Sequence, residues 1–296
     1  MRVAMAQITT GDDPSANLDQ VAEATATAAR DGADLVVFPE ATMSRFGVPL
    51  APVAEPLDGP WAQRISQIAA DNDVTVVAGM FTPADGGRVH NTLVVAGPDG
   101  ARSGYDKIHL YDAFGFRESR TVAPGDRTVV VDVGGTAVGL ATCYDIRFPE
   151  LFTTLADHGA EVIVVPASWG AGPGKVHQWR ALATARALDS TSYVVAVGQA
   201  EPTDPAIRDS AAPTGVGHSQ ITDPFGSVVA AYGGGREVGV HDIDLAKVGQ
   251  AREQLAVLAN RRSLTSDPAV SGTTRAASDV TAGGDSADTE PAHRHG

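Results

Sequence analysis

Hydrophobic residues are arranged along this chain in short apolar runs that alternate with longer segments of helical spacing. The runs "RVAMAQI" and "DLVVFPE" predict buried strands. Between them, "SANLDQVAEATATAARDGA" has a serine N-cap, an alanine-rich composition and a glycine stop, which are typical of a helix. The N-terminal part of the chain is therefore predicted to form a strand, a helix and a second strand.

The same order of elements returns in the second half of the chain. "FPELFTTLADHGA" predicts a helix that leads into the strand "EVIVVPAS", and "GKVHQWRALATARALDST" predicts a helix that leads into "YVVAVGQA". This alternation of helices and strands indicates the α/β class.

Two related halves are suggested by residues 31–40 and 158–167, whose apolar positions and proline can be aligned. The β-rich runs between them, such as "VTVVAGMF" and "VHNTLVVAGPDG", are punctuated by glycine-containing turns that indicate antiparallel hairpins. We predict a four-layer α-β-β-α sandwich of mixed sheets with an internal pseudo-two-fold axis.

Length and composition divide the 296 residues into a folded part and a tail. The chain is 43% hydrophobic, enough for a large core, but residues 263–296 are rich in Ser, Thr, Ala and Gly. We predict one domain over residues 1–262 and a disordered acidic tail over residues 263–296. The net charge of −14 disfavours nucleic acid and anionic membranes as partners.

The N-terminus and the cysteine count give further expectations. No apolar stretch is long enough for a signal peptide core or a membrane span, so we expect a cytoplasmic protein. A single cysteine excludes an intramolecular disulfide and a cysteine-rich zinc site, and the histidines show no metal-ligand spacing. We predict neither a cofactor nor a metal.

The one cysteine, Cys143, lies where an apolar strand "TAVGLATC" gives way to the helix start "FPEL". Strand-to-helix turns are where active sites lie in α/β folds, and helix-end amides or nearby cations would lower the pKa of a thiol there. An inert, packed cysteine is the alternative, because free cysteines are commonly buried. From position alone, both interpretations stay open.

Two charged residues elsewhere also lie beside apolar segments. Glu40 ends the strand "LVVFPE", where a buried carboxylate could act as a general base or cap a neighbouring loop. Lys107, in "YDKIHLYD", could stabilise an oxyanion or be a solvated surface cation. Taken alone, neither residue distinguishes a catalytic role from a structural one.

Taken together and in this order, "FPE", "YDKIHLYD" and "CYDIRFPE" resemble the nitrilase superfamily of carbon-nitrogen hydrolases. The resemblance covers residues 1–262 and is closest to the amidase branch. The further segments that match this branch are "FRESRTVAPG", "PASWG", "QWRALATARALDSTSYVVAVGQA", "GHSQITDPFG" and "LANRR".

The resemblance implies a Glu-Lys-Cys triad in which Cys143 is the nucleophile, Glu40 the general base and Lys107 the oxyanion-stabilising cation. It also implies that Glu118, in "FRES", is the second glutamate that orients the lysine and the substrate amide. Tyr144 would supply a backbone N–H to the oxyanion.

The implied activity is hydrolysis of a small aliphatic amide through a cysteine thioester, the substrate being an ω-amide of a dicarboxylic acid or a deaminated glutathione. A nitrilase or an N-carbamoyl amino acid hydrolase is the alternative that uses the same triad. A papain-like protease fits poorly, because Glu40 and Lys107 would have no role, and a non-catalytic scaffold would require loss of the triad.

The expected substrate-binding residues are Tyr144, Arg147 and Trp169. Arg147 could bind a substrate carboxylate through its planar fork of donors, or it could form an ion pair with Glu150 or Asp145. The resemblance also implies a homodimer or a multiple of it, and we expect the segment "GKVHQWRALATARALDST" to supply the interface because its apolar residues recur at helical spacing.

Overall fold

The computed structural model describes residues 1–113 and 115–263. Residues Met1–Asn260 form one compact unit. The predicted tail falls, apart from Ser263, outside the described residues, so the division into a domain over 1–262 and a tail over 263–296 stays a prediction. The six α-helices found in the described part are α1 Pro14–Arg30, α2 Pro60–Asn72, α3 Pro149–Asp157, α4 Lys175–Ser190, α5 Pro205–Arg208 and α6 Ala246–Gln254.

The described strands form two large mixed sheets and one small hairpin. The first sheet contains β1 Arg2–Gln7, β2 Leu35–Val37, β3 Thr75–Pro83, β4 Val89–Ala96, β5 Arg102–Asp106, β8 Val122–Ala123 and β15 Glu237–Asp242. The second contains β9 Val130–Val133, β10 Thr136–Leu140, β11 Val162–Ala167, β12 Tyr193–Gly198, β13 Gln220–Thr222 and β14 Val228–Ala231, and the hairpin is β6 Asp112–Ala113 with β7 Phe116–Arg117. The strands of the first sheet have the order β15-β1-β2-β3-β4-β5, with β8 paired to β4, and those of the second have the order β14-β13-β12-β11-β10-β9.

The two large sheets repeat one topology. In the first, β1, β2 and β3 are parallel and β4 and β5 follow antiparallel, while in the second, β10, β11 and β12 are parallel and β13 and β14 follow antiparallel. The predicted internal pseudo-two-fold is therefore confirmed. The two aligned sequence segments contain β2 and β11, which occupy the same position in their respective sheets.

Three layers of apolar side chains hold the four structural layers together. One cluster joins α1 and α2 to the outer face of the first sheet, a second lies between the two sheets, and a third joins α3 and α4 to the outer face of the second sheet. Strands buried on both faces explain why their sequences are continuous apolar runs without alternation. The predicted α-β-β-α sandwich is confirmed.

Local details differ from the sequence prediction at the start of α1. The N-cap is Asp13, whose carboxylate accepts a hydrogen bond from the backbone N–H of Ser15 at 2.9 Å, and Pro14 is the first helical residue. Proline is well suited to this position because its missing N–H would be unpaired there in any case. The predicted serine cap is therefore wrong.

The role of helix α4 as a dimer surface also stays a prediction. Trp179, Ala183 and Ala187 are fully buried against the second sheet, so part of the helical spacing reflects packing within the chain, whereas Leu188 on the same helix is 39% exposed. The predicted homodimer itself stays a prediction. None of the helices in the described part of the chain is long and apolar enough to span a membrane.

Candidate active site

Cys143 begins a short 3₁₀ helix, Cys143–Arg147, that connects β10 to α3. Its backbone lies in the left-handed region, with φ of 47°, and its side chain is buried. A non-glycine residue in this region is under local strain that the surrounding structure must hold in place. The prediction that the cysteine occupies a strand-to-helix turn is confirmed, although α3 begins only at Pro149.

Glu40 lies just after β2, in a turn that Gly79 of the neighbouring β3 makes room for. A Cβ on Gly79 would overlap with the backbone N of Ala41, so only glycine fits there. From the segment that directly follows β12 of the second sheet, the Gln199 side chain donates to the backbone carbonyl of Glu40 at 3.1 Å. The turn that carries Glu40 is therefore fixed by contacts from both halves of the molecule.

Lys107, Glu40 and Glu118 meet in one buried cluster, with side-chain exposures of 2%, 1% and 3%. The Lys107 Nζ donates to Glu40 Oε1 at 2.8 Å and to Glu118 Oε2 at 2.9 Å. The structure thus brings together the glutamate identified from "FRES" and the other triad candidates. The amide of Asn91 also donates to both carboxylates, at 2.7 Å to Glu40 and 3.1 Å to Glu118.

Backbone amides complete the binding of the two carboxylates. The Ser168 N–H donates to Glu40 Oε2 at 2.8 Å, and the Tyr111 N–H donates to Glu118 Oε2 at 2.7 Å. Buried carboxylates need this number of donors, because each leaves a full hydration shell behind. The cluster therefore holds two carboxylates in fixed orientations around one ammonium group.

The protonation of Lys107 follows from these contacts. Burial by itself lowers the pKa of the lysine, but the carboxylates of Glu118 and Glu40 outweigh burial and raise the pKa of Lys107 well above its usual range. Lys107 is therefore a fixed cation at neutral pH, which is the state that stabilisation of an oxyanion requires.

The thiol of Cys143 behaves differently from the sequence prediction. Burial raises the pKa of Cys143 well above its usual range, the negative charge of Glu40 raises it further, and Lys107 opposes this shift without overcoming it. The thiol and the Glu40 carboxylate line the same cavity. The prediction that helix-end amides and cations lower this pKa is wrong, because it took no account of burial or of the carboxylate next to the sulfur.

Alkylation of Cys143 should reflect this raised pKa. We expect iodoacetamide to react slowly at neutral pH and faster with increasing alkalinity, because the thiolate is the reactive form. Mass spectrometry of the labelled protein from about pH 6 to about pH 10 gives the rate at one site, since the chain has one cysteine. A fast rate that is independent of pH below about pH 8 would contradict the expectation.

Asp145 ties the turn of Cys143 to the segment that carries Lys107. Its buried carboxylate accepts hydrogen bonds from the Thr142 backbone N–H at 2.9 Å, the Tyr105 hydroxyl at 2.7 Å and the His109 backbone N–H at 2.9 Å. Tyr105 and His109 lie two residues before and after Lys107. Asp145 therefore helps to fix the distance between the thiol and the ammonium group.

A cavity opens over Cys143, with an empty volume of about 370 Å³. Arg147 and Lys175 lie at this cavity, and both approach the ring of Trp169, at 5.1 Å and 5.9 Å from its centroid. Burial and the nearby charge of Arg147 lower the pKa of Lys175. The other described residues that line the cavity are Glu40, Phe46, Lys107, Tyr111, Phe116, Glu118, Tyr144, Ser168, Gly170 and Pro213.

All three of the predicted substrate-binding residues, Tyr144, Arg147 and Trp169, line this cavity. The alternative of an ion pair between Arg147 and Glu150 or Asp145 is wrong, since the ion pairs found among residues 1–113 and 115–263 do not include Arg147. Its Nη2 instead donates to the Gln178 amide oxygen at 2.7 Å.

Sequence reasoning missed Asn91, Asp145 and Lys175. Asn91 could have been found as a polar residue within the apolar run "VHNTLVV". Asp145 could have been found because it lies two residues after the cysteine. No comparable signal marks Lys175. Across the described part of the chain, no group of three His, Cys, Asp or Glu side chains has the geometry to hold a metal ion.

Comparison with known proteins places these features in a family context. The family profile described as carbon-nitrogen hydrolase matches residues 2–253. A hydrolase of Mycobacterium tuberculosis strain H37Rv is 57% identical over 267 residues, which cover 88% of this chain and 95% of that protein. The omega-amidase of Mus musculus is 34% identical over 269 residues, with coverage of 88% and 95%.

Two further proteins resemble the chain. The deaminated glutathione amidase of Escherichia coli O157:H7 is 38% identical over 250 residues, which cover 83% of this chain and 91% of that protein. Among solved structures, a glutamate-to-glutamine variant of the amidase from Nesterenkonia sp. AN1 matches with a TM-score of 0.73 and 25% identity, covering 88% and 94%. Its active-site cysteine carries the covalently added acetamide moiety of fluoroacetamide.

Proposed function

The chain belongs to the carbon-nitrogen hydrolase family, and we propose that it hydrolyses a small aliphatic amide to a carboxylic acid and ammonia. The observation that carries this proposal is that the Cys143 thiol, the Glu40 carboxylate and the Lys107 ammonium group line one cavity, where Lys107 donates to Glu40 at 2.8 Å. Nucleophilic attack on an amide carbonyl requires a nucleophile, a base and a group that stabilises the oxyanion, and these three side chains can supply them.

In the first half of the proposed reaction, Glu40 takes the thiol proton while the Cys143 sulfur forms a bond to the amide carbon. The tetrahedral oxyanion accepts hydrogen bonds from Lys107 and from the backbone N–H of Tyr144. Glu40 then gives the proton to the amide nitrogen, the C–N bond breaks, and ammonia leaves a thioester on Cys143. Because the resting thiol is protonated, the base must act during the attack.

In the second half, Glu40 takes a proton from a water molecule as the water oxygen bonds to the thioester carbon. The C–S bond then breaks, the proton returns to the sulfur of Cys143, and the carboxylic acid leaves. Glu118 orients Lys107 throughout, since its carboxylate binds the Nζ at 2.9 Å. The net change is one water consumed and one ammonia released for each amide.

Electrostatics of the cavity favour a substrate that carries a carboxylate. The acidic residues among its described lining are Glu40 and Glu118, which both bind Lys107, whereas Arg147 and Lys175 add two positive charges. An anionic group near the aromatic wall would balance these cations. We therefore propose an ω-amide acid as substrate, in keeping with the omega-amidase and deaminated glutathione amidase among the relatives.

Product analysis tests the proposed reaction. The purified protein should release ammonia from amides of short dicarboxylic acids, without ammonia from the matching nitriles and without carbon dioxide from carbamoyl amino acids. Ammonia from the nitriles or carbon dioxide from the carbamoyl compounds would instead assign the protein to a neighbouring activity of the same family. The matched compounds share one carbon skeleton, so that only the reacting group differs.

Arg147 should determine preference for the carboxylate. We expect Arg147→Lys to raise KM for an ω-amide acid by roughly tenfold or more, because the planar fork of donors is lost, and to leave turnover of a neutral amide of equal length almost unchanged. Steady-state kinetics on both substrates checks this expectation. Equal losses on the two substrates would assign Arg147 to holding the turn through its bond to Gln178.

A further inference from the structure

Asn91 lies on β4 with its side chain fully buried, between the two carboxylates of the site. Its Nδ2 donates to Glu40 Oε1 at 2.7 Å and to Glu118 Oε1 at 3.1 Å. The Lys107 Nζ donates to the same two oxygens, at 2.8 Å and 3.2 Å. One cation and one neutral amide thus bridge the same pair of carboxylates.

The charges of this group do not balance. Two carboxylates and one ammonium group leave one net negative charge in a buried site, and two carboxylates that share such a site tend to bind a proton between them. A proton held by Glu40 and Glu118 would remove the base that the proposed reaction requires. The other groups that face the pair are the Cys143 thiol and the backbone N–H groups of Ser168 and Tyr111.

An amide NH₂ opposes uptake of that proton. Both of its hydrogens are directed at carboxylate oxygens, and hydrogen bonds of this kind favour the ionised form of the acceptor. A second charged donor would do the same but would change the net charge of the site. Asn91 therefore stabilises both carboxylates in the ionised state without adding a cation.

Packing does not explain why an asparagine occupies this position. The Oδ1 of Asn91 is buried and has no hydrogen-bond partner, which is unfavourable for a polar atom. The residues two positions away on the strand, Val89 and Leu93, are both buried and apolar. A leucine would continue that pattern and would remove the unpaired carbonyl, so the NH₂ group is the feature of Asn91 that the site uses.

We propose that Asn91 is a positioning residue that keeps Glu40 and Glu118 ionised together, so that Glu40 remains a base at neutral pH. This inference rests on the proposed function, because it assigns the proton transfer to Glu40. In variants of Asn91, the acidic side of the pH profile of kcat/KM, its acid limb, should move to higher pH. A purely structural role of Asn91 would not produce this shift.

Two variants of different shape test the proposal. We expect Asn91→Leu to lower kcat/KM roughly tenfold or more at about pH 6 and to recover to within about threefold of the wild type at about pH 8.5, since alkali removes the shared proton. Asn91→Asp keeps the size and shape of the side chain, but a carboxyl group can donate at most one hydrogen bond, to one of the two carboxylates. The acid limb of this variant should therefore also move to higher pH. Thermal unfolding of both variants confirms that folded protein is compared.

Thr92→Val is the matched control. The Thr92 side chain, on the same strand, makes hydrogen bonds to Thr82 at 2.8 Å and to Asp106 at 2.6 Å, away from the cluster. Its acid limb should coincide with that of the wild type. If both Asn91 variants lose the same factor at every pH, or lose nothing, the proposal is overturned. An active Cys143→Ala variant would instead overturn the proposed function itself, so the two failures are distinguishable.

Discussion

Cys143→Ala should reduce turnover of the best amide to below about 1% of the wild-type rate, because no other group can form the thioester. The fold should survive, since alanine can take the place of a buried cysteine with the loss of a single heavy atom and meets the same backbone strain at φ of 47°. Ammonia release and far-UV circular dichroism, measured on the same preparation, check the two parts of this expectation.

A measurement of amide binding distinguishes loss of the reaction step from loss of an intact binding site. Calorimetry should show that Cys143→Ala still binds the substrate, because Arg147, Trp169 and Tyr144 are untouched. Cys143→Ser serves as a second variant that keeps a polar atom at the position but is a poorer nucleophile. Turnover above a percent or so in the alanine variant would place the nucleophile elsewhere, and loss of the helical signal would make the thiol structural.

Lys107→Met should cause the largest loss of stability among single substitutions in the site. Removing the ammonium group leaves Glu40 and Glu118 buried side by side without a cation, and breaking a buried pair in this way costs about 3–5 kcal/mol of unfolding free energy. Because Lys107 is the proposed oxyanion donor, its loss should lower kcat by roughly 10²–10³-fold in the variant that remains folded. Chemical denaturation and steady-state kinetics measure the two effects.

The pH dependence of this variant has a defined sign. The folded-state pKa of Lys107 is raised, so its stabilising contribution is present below the unfolded pKa of lysine and is lost as pH rises through the folded value. The wild type should therefore lose stability at strongly alkaline pH in a way that Lys107→Met does not.

Lys247→Met is the control for Lys107→Met. Its Nζ lies 2.9 Å from Asp223 Oδ2, the same distance as Lys107 to Glu118, but the Lys247 side chain is 40% exposed. Asp223 is buried, but its carboxylate also accepts hydrogen bonds from the backbone N–H groups of Phe225 and Ser227, and water can reach the Lys247 side of the pair, so Lys247→Met should lose less stability than Lys107→Met. If the two lysine variants lose equal stability, burial is not what makes the Lys107 cluster important.

Local sequence patterns determined most of the fold. Strands such as β2 and β11 are continuous apolar runs because both of their faces are buried, and this shows in the sequence without any knowledge of the partners. The two aligned segments indicated the repeat because the same local environment recurs in each half. The identities of Glu40, Lys107 and Cys143 as candidates came from the resemblance of their surrounding motifs to one family, since composition and spacing left each of them open.

Tertiary structure alone decided how these groups act on one another. Glu40 is 67 residues from Lys107 in the sequence and 128 residues from Ser168, yet it is hydrogen-bonded to both. No periodic pattern in the sequence indicates contacts over such separations. The direction of the Cys143 pKa shift required the burial of the sulfur and the position of Glu40, and so a prediction from the turn alone was wrong. Asn91 and Asp145 act through hydrogen bonds whose strength depends on distance, direction and exclusion of water, and these are properties of the folded chain.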